Sequence, residues 1–383
     1  MSIFERIASR KVYLDDTQPL NCTIINSEIT QGHTEYVIRV QRGPLPENSW
    51  FVYKRYNDFI GLHQSLQGSG LHLPLPPKRL IGNFDREFIA ERKIGLQKYL
   101  DIILQNHILS SHLAVKRFLD PDNYGASYQG LGLSQICIAL RGELNIEVIK
   151  HLDVGWRLRK QHFLVHMKTE VKRELILSWV PFGPDKNLEE KQIQSVLKSL
   201  CTLQHVNIAP IEAGGVSEGG GWVIRNLYKN GTLLDYISGV KTPHTTSALR
   251  KYSNYKARKP LSVVQVVDIT CQILQGLSYL HHKGVPYGHL HLGNVLLIDG
   301  TVKLLDIENI LFGLPCYYRN YLTEHKQLSS MQAVDIYCLG LVMYEMLFCE
   351  PFNNSSCEAM PPDCPHILSK YFTKHISVHY FLV

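Results

Sequence analysis

Three separate stretches in the first third of the chain carry cations suited to phosphate: Lys54-Arg55-Tyr56, Lys78-Arg79 and Arg92. An arginine fork donates two parallel hydrogen bonds to a phosphate, a lysine acts as a compact point charge, and a ring beside an arginine can stack under a sugar-like ring. Taken singly, each cation reads as a solvated surface charge or a local ion pair. Arg92 is harder to dismiss. It stands three residues after Ile89 and four before Leu96, in a run where Ile89, Leu96, Leu100 and Ile103 recur at helical spacing, so its guanidinium falls on the buried stripe. An unpaired charge there is costly, and an anionic partner is expected.

The second half offers weaker signals. His281, His282, His289 and His291 suggest zinc, but no cysteine or carboxylate stands at ligand spacing, so no metal site is expected. Gly214-Gly215 and Gly219-Gly220-Gly221 lie between two expected strands without the following helix that would supply an anion site, and read as a hairpin loop.

The elements that must position these groups follow from periodicity. Residues 18–56 read as three strands in a meander, followed by a short helix after Asn57, a Pro-rich bend at 73–79, a long helix over 86–105 and a further helix over 108–119. The Gly, Ser and Tyr content of 122–135 marks a linker, placed at 126–143 between a first domain over 10–125 and a second over 144–350. The second domain alternates strands (162–168, 173–180, 222–227) and helices (188–203, 261–284), which implies a small mixed lobe followed by a helical one. The tail, 351–383, has weak periodicity and no clear structure.

Bulk properties bound the function. With 383 residues, 45% of them apolar, the chain can fill two or three cores, and 40 Lys+Arg against 34 Asp+Glu give too small a charge excess to imply nucleic-acid binding. Nine scattered cysteines without a CxxC pair fit reduced cytosolic thiols. The start has charges where a secretory signal would have its apolar stretch, so no such signal is expected, and no run is read as long enough to cross a bilayer, so membrane contact is expected to be peripheral.

The motifs KRYNDF, LPLPPK and IAERKIGLQKYL together resemble the PX (phox-homology) domain family over about residues 10–125. That resemblance implies a phosphatidylinositol 3-phosphate pocket in which Arg55 holds the 3-phosphate, Tyr56 packs on the inositol ring, Lys78 meets the 1-phosphate and Arg92 the ring hydroxyls. It also implies a membrane-insertion loop carrying Leu80, Ile81 and Phe84.

GLSYLHHKGVPYGHLHLGNVLL, VKLLDIEN and AVDIYCLGLVMYEML resemble the protein-kinase catalytic core. By that resemblance the catalytic aspartate is replaced by His289 and the following lysine by His291, while the oxygen ligands for magnesium are kept as Asn294 and Asp306. No glycine-rich loop stands near Gly155, Trp179 falls about where the phosphate-clamping lysine belongs, and Val196 falls where its glutamate belongs. Asp335 matches the structural aspartate of the helical lobe. The expected fold class is α+β: a PX fold followed by a bilobal kinase-like domain, truncated in its second lobe because only about 30 residues follow the helix at 335–348. The resemblance implies a cytoplasmic, peripheral-membrane adaptor of endosomes and plasma membrane. It would act in trafficking or in regulating membrane ion pumps such as the sodium/potassium ATPase, with no required cofactor and at most weak Mg-ATP binding. An active kinase recruited to membranes and a PX fold used only for protein contacts are the alternatives.

Overall fold

The computed structural model describes residues 14–30, 32–79, 85–141, 145–217, 219–241, 243–244, 247–253, 258–322 and 330–352. The loop residues Leu80, Ile81 and Phe84 and nearly all of the 351–383 tail lie outside the described residues.

β1 (Leu20–Thr30), β2 (His33–Arg42) and β3 (Ser49–Arg55) form the antiparallel meander that the alternating pattern predicts. Ile24, Tyr36, Ile38, Val40 and Val52 share one face, and a bulge between Ile24 and Asn26 ends that alternation on β1. α1 (Tyr56–Leu66) begins where the Asp58 carboxylate accepts the Arg55 amide at 2.8 Å. α2 (Arg86–Gln105) starts at its Asp85 cap and lays Ile89, Leu96, Leu100 and Ile103 on the sheet. α3 (His107–Ser110), α4 (Leu113–Leu119) and α5 (Pro121–Tyr124) close this core, where Phe118 meets Phe59 edge-on at 4.9 Å.

The segment expected as a linker is largely helical. α6 (Tyr128–Ala139) buries Ile136 against Trp179, Leu175 and Leu177 and so covers the outer face of the second domain's sheet. Gly132 serves close approach in this setting: a Cβ there would lie 3.1 Å from the Gln161 side chain and 3.2 Å from the Trp179 ring.

That sheet comprises β4 (Ile146–Leu152), β5 (Gln161–Met167), β6 (Glu170–Pro181), β7 (Ala213–Ser217) and β8 (Gly220–Asn226), antiparallel in the order β4-β5-β6-β8-β7. The glycine cluster forms the β7–β8 hairpin, turning at Gly219 with φ of 76°. α7 (Glu190–Leu200) packs beside the sheet through Ile193, Leu197 and Leu200. The larger lobe contains α8 (Leu233–Ile237), α9 (Ala248–Ser253), α10 (Val263–His282), β9 (Val295–Ile298), β10 (Thr301–Leu304), α11 (Arg319–Leu322) and α12 (Met331–Phe348). By length and composition α10 and α12 could each cross a membrane, a possibility missed when only uninterrupted apolar runs are weighed. Both contribute to one buried core, and Asp335 and Glu345 of α12 are buried in it.

The two domains touch. Leu249 of α9 joins the core beneath the meander, and the residues just before β1 reach across: Asp16 pairs with Arg157 at 2.6 Å and Asp15 with Arg319 at 3.2 Å.

Candidate functional site

In the first domain three segments converge around Arg92. Its guanidinium is stacked between the Tyr56 ring at 4.3 Å and the Phe88 ring at 4.1 Å, and one terminal nitrogen donates to the Pro77 carbonyl at 3.3 Å. The side chain is 6% exposed and its Nε is buried without a partner. A buried charge satisfied by two ring faces and one carbonyl leaves donor capacity over, which an anion could use. The Pro-rich bend reaches this spot because residue 95 is glycine: a Cβ there would lie 2.6 Å from Pro76 Cγ. The Tyr56 hydroxyl donates to the Pro76 carbonyl and ties the bend to the start of α1.

Of the residues expected at the pocket, Tyr56 and Arg92 are in contact, Lys78 follows Pro77 on the exposed side of the bend, and Arg55 stands exposed at the head of α1, 4.0 Å from Asp58. Lys54 is turned away, its ammonium 5.1 Å from the Phe118 ring centre. Phe88 was not among the expected site residues; Arg79, read with Lys78 as a cation suited to phosphate, lays its guanidinium 4.6 Å over the Phe88 ring. The signal for Phe88 was its place four residues before Arg92, one helical turn away on the same face.

The second domain's cleft lies between its sheet and the larger lobe. On β6 the side chains facing the cleft are Ile176 and Ser178, whereas Trp179 points to the opposite face under α6, with its Nε1 donating to Ser217 at 3.2 Å. The assignment of Trp179 to the lysine position is therefore one residue out of register, and in a strand a single step reverses the face. A lysine does reach the cleft, from the neighbouring strand's approach: Lys160 lies two residues before His162, which pairs with Ser178 in the ladder. Its Nζ is 2.6 Å from Asp306 Oδ2, 3.0 Å from Asn309 Oδ1 and 3.4 Å from Glu308 Oε1. From β8, Arg225 forks onto both oxygens of Glu308 and stands 3.7 Å from Asp306.

Two buried cations thus meet two carboxylates. Burial pushes the Asp306 carboxyl up, but Lys160 and Arg225 outweigh it and hold it well below the usual carboxylate range. Asp306 also adopts a φ of 58°, a left-handed conformation that aspartate tolerates better than most residues. Asn294 donates to the His289 carbonyl at 3.0 Å. These oxygens do not fit a magnesium ion as they stand, because side-chain cations already occupy the Asp306 carboxylate. Among the described residues no group of three or more His, Cys, Asp or Glu side chains is placed to hold a metal ion.

The base position fares no better. His289 and His291 are buried; burial, reinforced by Arg157, drives the first well below its usual value and the second down to about 3. An imidazole so reluctant to accept a proton is poorly matched to base catalysis near neutral pH. The Trp156 indole, from the β4–β5 connection, donates to His291 at 3.2 Å, and Tyr317 stacks on the same imidazole at 4.7 Å. Asp335 accepts the Tyr287 amide at 2.9 Å, the Gly288 amide at 2.6 Å and His281 at 2.8 Å, which is an anchoring role.

Comparison with known proteins agrees with this division. Residues 45–122 match the PX domain model and residues 182–361 the protein tyrosine and serine/threonine kinase model. The chain carries a PX domain followed by a kinase-like domain. It is 45% identical over 94% of its length to the PX domain-containing protein kinase-like protein of Rattus norvegicus, and spans 62% of that protein. The Slowpoke-binding protein of Drosophila melanogaster is 32% identical over 52% of the chain and 40% of its own length. Sorting nexin-16 of Homo sapiens is 29% identical over 36% of the chain and 41% of its own length.

Proposed function

We propose that this protein is a phosphoinositide-binding adaptor whose PX domain carries a non-catalytic kinase-like scaffold to membranes rich in phosphatidylinositol 3-phosphate. The observation that supports this most is Arg92, buried between Tyr56 and Phe88 with a donor unspent, beside the exposed cations Arg55 and Lys78. In this reading Arg55 takes the 3-phosphate, Lys78 the 1-phosphate and Arg92 the ring hydroxyls, with Tyr56 under the ring. The kinase-like domain transfers no phosphate and holds Mg-ATP weakly or not at all, because Lys160 and Arg225 neutralise Asp306 and the histidines at the base position stay neutral. Its proposed partner is a membrane protein, with ion-pump subunits such as those of the sodium/potassium ATPase as the class. Endosome and plasma membrane are the proposed locations. The test is a liposome panel bearing each phosphoinositide: the wild type should bind the 3-phosphorylated lipid and Arg55→Gln should not. Equal binding by both would remove Arg55 from the site, and no lipid-dependent binding by the wild type would leave the PX fold to protein contacts alone.

A further inference from the structure

Two thiols that none of these roles uses face each other inside the kinase-like domain. Cys316 Sγ lies 3.9 Å from Cys338 Sγ. Cys338, on α12 just beyond Asp335, is fully buried, while Cys316 is half-buried in the segment that runs from Asp306 to α11. Its neighbours make that segment consequential: the Pro315 carbonyl accepts from Arg157, and Tyr317 stacks on His291 and meets Trp156 edge-on at 4.9 Å. We propose that Cys316 and Cys338 form a reversible disulfide under peroxide stress, fastening the segment that packs over the cleft to α12.

The chemistry closes without a further reactant. The Cys316 thiolate attacks one oxygen of hydrogen peroxide, the O–O bond breaks, and hydroxide leaves as water once protonated; Cys316 becomes a sulfenic acid. The Cys338 sulfur then attacks that sulfur, the S–S bond forms, the S–O bond breaks, and the thiol proton departs with the oxygen as a second water. Two thiols lose two electrons and one peroxide gains them. The approach needed is about 2 Å, from contact distance to a disulfide bond of about 2 Å. The order of attack follows exposure, since Cys316 is half-buried and Cys338 fully buried, and the contact between the two sulfurs favours the Cys316 thiolate in the same sense.

Peptide mapping of the full chain tests this. After hydrogen peroxide, alkylation with N-ethylmaleimide and digestion without reductant, the Cys316 and Cys338 peptides should appear as one linked species that dithiothreitol separates. This should occur at a peroxide level where Cys22, Cys201 and Cys271 are still recovered alkylated. In Cys338→Ala the reaction should stop at the sulfenic acid, so dimedone should tag Cys316 several-fold more than in the wild type. Recovery of Cys316 and Cys338 as separate alkylated thiols from a chain that still melts cooperatively would overturn the proposal, as would equal dimedone tagging with and without Cys338. The wild-type map decides even if the variant fails to fold.

Discussion

Replacing Asp306 with asparagine separates two readings of the kinase-like cleft. In a vacant metal site, carboxylates repel one another and losing one is neutral or stabilising. In this structure the carboxylate is the near partner of Lys160, at 2.6 Å, and a second partner of Arg225, at 3.7 Å, and both cations are almost wholly buried. Asparagine keeps the shape, tolerates the positive φ and can still accept one hydrogen bond from Lys160, so only the charge is removed. Breaking a buried pair outright costs about 3–5 kcal/mol, and the retained hydrogen bond brings the expected loss to about 2–3 kcal/mol. For a domain of this size that is a fall in Tm of roughly 4–12 °C, read by calorimetry without nucleotide or metal. The sign with pH follows from the lowered carboxyl: the folded state binds the proton less tightly than the unfolded chain. The wild type's advantage should therefore be complete above about pH 5 and fade as pH falls below the ordinary value of 3.8 toward the folded one. An Asp306→Asn variant that melts at or above the wild type would refute the stabilising role of these ion pairs and restore the metal-site reading.

Gly95→Ala should push the Pro-rich bend off α2, since its Cβ would overlap Pro76 Cγ, and weaken lipid binding several-fold while leaving the melting of the kinase-like domain unchanged. Glu345 has its carboxyl raised to about 7, chiefly by burial, against a usual 4.5. The folded state therefore binds the proton more tightly, and stability should decline as pH rises from about 4.5 through about 7; a Glu345→Gln variant should show a flatter profile in urea titrations across that window. Asp335→Ala strands the buried Tyr287 and Gly288 amides, so a loss of at least about 2 kcal/mol is expected by chemical denaturation, whatever ligand is present.

Much of this architecture was legible because periodicity carries it. The 86–105 helix, the strands at 162–168 and 173–180, and the buried position of Arg92 all follow from where apolar residues fall. What escaped depended on packing between distant segments. Glycines in α6 looked like flexibility, whereas Gly132 is there for contact with Trp179. Trp179 stood one residue from the cleft face, a difference no composition reveals. Lys160 is not legible as a cleft residue because it precedes β5, and only strand pairing brings that approach alongside β6. Arg225 and Glu308 stand 83 residues apart in the chain, and only the fold sets them together.

The central claim rests on the Arg92 pocket, and one comparison tests it most directly. Arg92→Met keeps an unbranched side chain between Tyr56 and Phe88 but removes the charge. Binding of wild type and variant to vesicles with and without phosphatidylinositol 3-phosphate would be measured by surface plasmon resonance, beside their melting curves. The account predicts at least a tenfold loss of lipid-dependent affinity, about 1.4 kcal/mol, with a Tm unchanged or raised because a buried charge has gone. Undiminished binding by a folded Arg92→Met variant would contradict it.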